Sequence, residues 1–119
     1  TITIKMHKSI MFLQVIILFV KAVEFLFVYI GNMNLDEKKK LVLKSLAKCT
    51  RNLRDDKSQF MFCSENDIST SIISTIERGI KDPQLTTIFK IAEAFGMKPS
   101  KFVKMIEDNL PNDFSLIDF

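Results

Sequence analysis

The side chains in this sequence that could carry out chemistry are few and scattered. His7 is its single histidine, and Cys49 and Cys63 are its two cysteines. Three such residues, so spaced, cannot supply the four ligands of an ordinary zinc site. There is no Cys/His pair, no glycine-rich phosphate loop and no cluster of carboxylates, so neither an enzyme nor a cofactor is expected. Unpaired cysteines fit a reducing cytoplasm, and Cys63 reads as a small packing residue rather than a reactive thiol. What stands out instead is a run of hydroxyls, Ser69, Thr70, Ser71, Ser74 and Thr75, followed by Arg78 and Lys81. Hydroxyls both donate and accept hydrogen bonds, and each threonine adds a methyl. Such groups act together only if one element carries them on one face.

The composition says what that element is. The chain has 119 residues, 47% hydrophobic and 26% charged, with three glycines and three prolines. That is too apolar for disorder and too poor in turn residues for a many-stranded sheet. An all-α fold is expected. Residues 1–34 carry three lysines against Glu24, and residues 35–119 carry 14 Lys/Arg against 13 Asp/Glu. A nearly neutral body does not bind polyanions by bulk charge, so any nucleic-acid contact must use a local basic face.

Three segments follow: a hydrophobic N-terminal segment (1–34), a helical domain (35–110) and an apolar C-terminal tail (111–119). In the domain, Leu41, Leu43, Leu46, Ala47, Thr50 and Leu53 mark a first body helix over about 36–55. Asp55-Asp56-Lys57 breaks it, and Ser58 caps a second helix with Met61, Phe62 and Cys63 inward, ending near Asn66-Asp67. Ser69 caps a third over 70–78, which Gly79 stops. A fourth covers about 84–95 with Leu85, Ile88, Ile91, Ala92 and Phe95 inward. Pro99 opens a fifth to about Asn109, with Phe102, Val103 and Ile106 inward. The tail, with Phe114, Leu116, Ile117 and Phe119, is too apolar to stay free and is expected to dock. Lys38–Lys40 read as a solvated helix start, or as a phosphate-facing arm.

Two short helices joined by a tight turn, the second rich in hydroxyls, outline a helix-turn-helix. The details go further. Ser58-Gln59, Phe62-Cys63, Asp67-Ile68-Ser69, Ile73-Ser74, Ile76-Glu77-Arg78-Gly79, Asp82-Pro83 and the run from Ile91 to Gly96 together resemble the Cro/C1-type (XRE-type) DNA-binding domain over about residues 41–106. The resemblance implies a five-helix, lambda-repressor-like fold in a transcriptional regulator. It implies that Thr70, Ser71 and Thr75 read base edges and that Gln59, Ser69, Ser74, Arg78 and Lys81 touch phosphates. It also implies an internal ion pair between Arg54 and Glu77. The segment departs from the family pattern at Asp55–Ser58, a link about two residues shorter and lacking a glycine, and at Asp67, which replaces a turn glycine. With no Arg, Gln or Asn among the readers, base discrimination per half-site is expected to be modest, aided by DNA shape.

Short readers gain specificity by pairing two-fold on a pseudo-palindrome. The expected homodimer surface is Phe102, Met105, Ile106, Leu110 and Phe114. Small members of the family include phage-type repressors and restriction–modification controller proteins; the body length suits the latter, and nothing in the sequence selects it. The rival functions are a protein–protein or toxin–antitoxin-type module and a membrane-tethered regulator.

The tether reading rests on residues 10–30, twenty-one residues interrupted by Gln14, Lys21 and Glu24. About fifteen strong apolar residues favour insertion by roughly 5 to 8 kcal/mol, and a central lysine costs about 3. On a helix the three polar residues fall within roughly 80° of one another. An oligomerisation helix is the favoured reading. A membrane segment, a strand pair and an extension upstream of Met33 without a role of its own are the alternatives.

Overall fold

The computed structural model describes residues 2–31 and 33–117. The described residues form six α-helices and no strand. The chain divides into two compact units, Thr1–Met33 and Asn34–Phe119.

The first unit is one helix, α1 (Ile2–Gly31). Its many β-branched and aromatic residues do not produce the strand pair that their local preference allows. From Met6 to Tyr29 its large apolar side chains are exposed.

The second unit holds the other five: α2 (Leu35–Arg54), α3 (Gln59–Asn66), α4 (Thr70–Glu77), α5 (Leu85–Ala94) and α6 (Pro99–Asp108). Asn34 caps α2 by accepting a hydrogen bond from the Glu37 amide at 2.9 Å. Asp36 and Glu37 lie in its first turn and Arg51 and Arg54 in its last, each favourable to the helix dipole. Its Leu43, Leu46, Ala47, Cys49 and Thr50 are buried, spaced for one face. That face packs on α4 and α6; α3 packs on α4, and α5 on α6.

The core joins Leu46, Cys49, Phe62, Cys63, Ile68, Ile73, Ile76, Ile91, Ala92, Phe102 and Ile106. Phe62 stacks on Phe95 with ring centroids 4.7 Å apart, and Phe95 lies 6.4 Å from Phe102. Two polar ties fasten α2 to α6: the Ser45 hydroxyl donates to the Ile106 carbonyl at 2.6 Å, and the Asn109 amide to Cys49 Sγ at 3.2 Å.

Several side chains differ from the sequence expectation. Met61, Leu85 and Val103 are exposed rather than inward. Met61 and Val103 each sit about 100° around the helix from a packed phenylalanine, Phe62 and Phe102. Leu85 occupies the first position of α5, a turn ahead of the packed Ile88 and Ile91. Lys38 is buried, whereas Lys39 pairs with Asp82 at 3.2 Å and Lys40 is exposed, so the lysine run is not uniformly solvated. In the tail Phe114 is half-buried, and Leu116 and Ile117 are exposed instead of docked; Phe119 lies outside the described residues.

Candidate nucleic-acid interface

The turn between α3 and α4 brings two eight-residue helices together. Ser58 accepts the Met61 amide at 3.1 Å and starts α3. Asp67 ends it in the left-handed conformation (φ 52°, ψ 49°), its amide donating to the Cys63 carbonyl. Aspartate tolerates this region better than most residues because its short side chain bonds locally. The Lys90 ammonium of α5 donates to the Asp67 carbonyl and holds the turn from a distance of 23 residues in sequence.

Ser69 has the extended backbone of an N-cap, but its hydroxyl makes no cap bond and lies 3.2 Å from the Ser71 hydroxyl. The sequence expectation of a side-chain cap is thus not met. The first amides of α4 are left without that intramolecular acceptor, which suits an anion at this helix start. Gly79 closes the other end with φ 74°, and the Ile80 and Lys81 amides both donate to the Thr75 carbonyl. A residue with a Cβ would be strained there.

On α4, Ile73, Ile76 and Glu77 are buried and Ile72 is half-buried. Thr70, Ser71 and Arg78 are exposed, and Ser74 and Thr75 half-exposed, all within roughly 140° of the helix circumference. One outward face therefore carries all the hydroxyls of this helix and one guanidinium. Their bonding differs. The Thr75 hydroxyl donates within its own helix, 2.9 Å from both the Ser71 and Ile72 carbonyls, so it offers lone pairs and a methyl rather than a free proton. Burial pushes the Cys63 thiol's pKa above its ordinary range, and the neighbouring Thr70 hydroxyl pulls it the other way. Arg78 Nε lies 3.4 Å from the Ser74 carbonyl, and Lys81 is exposed just beyond Gly79.

Behind this face a charged cluster fixes the helices. Arg54 of α2 makes a two-pronged pair with Glu77 of α4: Nε to Oε2 at 2.8 Å and the second guanidinium nitrogen to Oε1 at 2.7 Å. A further nitrogen of Arg54 donates to the Lys57 carbonyl at 2.6 Å, closing the short link between α2 and α3. The Glu77 bond raises the Arg54 pKa further above its already high value. Gln59, half-buried at the start of α3, donates its amide to the same Glu77 carboxylate at 3.2 Å. One N–H and the carbonyl of Gln59 remain for another partner. Three helices are thus tied at one carboxylate.

The short link itself is strained. Asp55 has φ 52° and ψ −120°, a region that glycine occupies readily and other residues do not.

The expected dimer surface needs correction. Phe102 is 0% exposed and Ile106 is buried, both within the domain's own core, because the face of α6 that packs on α2 and α5 claims them. Met105, Leu110 and Phe114 are half-buried, and Val103 is exposed beside them. Sequence reasoning missed Lys90 and the Gln59–Glu77 bond, neither of which leaves a local pattern. It also missed Phe60, which is highly exposed next to Gln59. Among the described residues no group of His, Cys, Asp or Glu could hold a metal ion.

Residues 64–102 match the helix-turn-helix family model. No curated protein and no solved structure matches the chain.

Proposed function

We propose that this protein is a sequence-specific regulator of transcription, a reading supported by the match of residues 64–102 to a helix-turn-helix family model. It lays α4 in the major groove and binds as a two-fold dimer to a pseudo-palindromic operator. The observation that carries the reading is the single outward face of α4. Thr70, Ser71 and Thr75 meet base edges there. Ser69, Ser74, Arg78 and Lys81 meet phosphates around it, joined by the spare amide proton of Gln59. The dimer forms through the exposed side of α6 and the following turn, with Val103, Met105, Leu110 and Phe114. Such a regulator works in the cytoplasm, where its DNA is.

The test is selection from randomised duplex DNA with the full chain in mild detergent, sequenced at two salt concentrations. A two-fold symmetric motif is expected. Arg78 and Lys81 from two protomers neutralise four phosphates, so log K should fall with log salt with a slope of about −4. Salt-sensitive binding without any motif would overturn the operator reading and favour a module that binds a protein partner.

A further inference from the structure

We propose that α1 crosses a lipid bilayer as a single span and tethers the DNA-binding unit to the cytoplasmic face of the membrane. The segment Lys5–Tyr29 is 25 residues long and wholly exposed. At 1.5 Å per residue it measures roughly 37 Å, enough to cross about 30 Å of hydrocarbon with some tilt. Its exposed apolar side chains point in every direction: Phe12, Leu13, Ile17, Leu18, Phe19 and Phe27 cover the full helix circumference. A helix apolar all round is stable only in the interior of a large protein or in lipid.

A second copy in water is a poor occupant. Two packed helices cover one stripe of each other and would leave most of these phenylalanines and leucines wet. Lipid covers all of them. The polar exceptions fit this solvent too. Gln14, Lys21 and Glu24 share one narrow stripe, and Lys21 and Glu24, three residues apart, can neutralise each other within the helix. Tyr29 stands at the end of the span, where a bilayer places its aromatic belt. Beyond it come Lys39, Lys40, Lys44 and Lys48, the basic flank that stays in the cytoplasm. That orientation also puts the α4 face on the side that holds the DNA. Only this last point rests on the DNA-binding reading; insertion stands without it.

The experiment uses the full chain, produced in bacterial cells, with membranes washed in alkaline carbonate and floated on a sucrose gradient. The chain should float with lipid, and also after reconstitution into phosphatidylethanolamine–phosphatidylglycerol vesicles. F12R/F19R, placed away from the polar stripe, should lower the floating fraction at least tenfold. K21L/E24L should keep or raise it. Protease added to intact spheroplasts should spare the DNA-binding unit, and digest it once they are opened. Recovery of the chain in the carbonate supernatant as a soluble oligomer, or as lipid-free sediment, would overturn the proposal. So would release of K21L/E24L from the membrane, because a polar seam between copies in water would then be holding α1. Operator binding measured on the same vesicles reports the DNA-binding reading separately.

Discussion

Breaking the Arg54–Glu77 pair from either side should cost different amounts, and the difference follows from burial. The Glu77 side chain is 3% exposed and that of Arg54 17%. In Arg54→Leu the Glu77 carboxylate stays in the domain interior with only the 3.2 Å bond from Gln59. Stranding a buried charge costs about 3–5 kcal/mol. In Glu77→Leu the guanidinium keeps the Lys57 carbonyl and can turn towards water. Its loss should be smaller, about 1.5–2 kcal/mol, the worth of hydrogen bonds to a charged group. The double variant removes both charges and fills the space with apolar atoms. It should be no worse than the milder single variant, giving a coupling of about 3 kcal/mol or more. The assay is urea unfolding of the full chain in detergent micelles, followed by helical circular dichroism. With a slope of about 1 kcal/mol per molar for a small domain, Arg54→Leu should move the midpoint down by about 3 M. If the two single losses simply add in the double variant, or if Glu77→Leu is the more damaging, the buried-carboxylate argument is wrong.

Asp55→Gly should stabilise the domain by about 1 kcal/mol, because glycine relieves the φ 52°, ψ −120° backbone. Asp67→Gly, in the better-tolerated left-handed region, should gain less; thermal melts of both variants check the order. Phe102→Ala should cost about 3–5 kcal/mol and unfold the domain near room temperature, since the ring is wholly buried. Cys63, with its pKa raised by burial, binds its proton more tightly folded than unfolded. It therefore lowers stability as pH rises past the unfolded thiol's pKa towards the folded one, and Cys63→Ala should flatten that alkaline loss in a pH series of melts. Gln59→Ala should weaken binding to all duplexes about equally, whereas Ser71→Ala should change the preferred site. If Ser71→Ala changes neither affinity nor preference in a binding selection, α4 does not read DNA through this face.

The sequence by itself determined the elements of the second, five-helix unit. Apolar spacing, Ser58, Gly79 and Pro99 set five body helices to within a residue or two, because helix ends depend on local backbone groups. It also determined the hydroxyl face of α4, since residues 70, 71, 74, 75 and 78 share a side of any helix. Tertiary structure decided what each of those hydroxyls and amides is free to do. Thr75 spends its proton on its own helix, and Gln59 shares Glu77 with Arg54. Periodicity narrows a buried face only to about one residue in angle. Met61, Leu85 and Val103 therefore turned outward, while Phe102 and Ile106 went inward as their spacing implies and so cannot also form a partner's surface. For α1, composition left lipid, partner and strand open. A continuous helix with its apolar side chains exposed narrows the choice, because burial is a property of the folded chain and cannot be read from its letters.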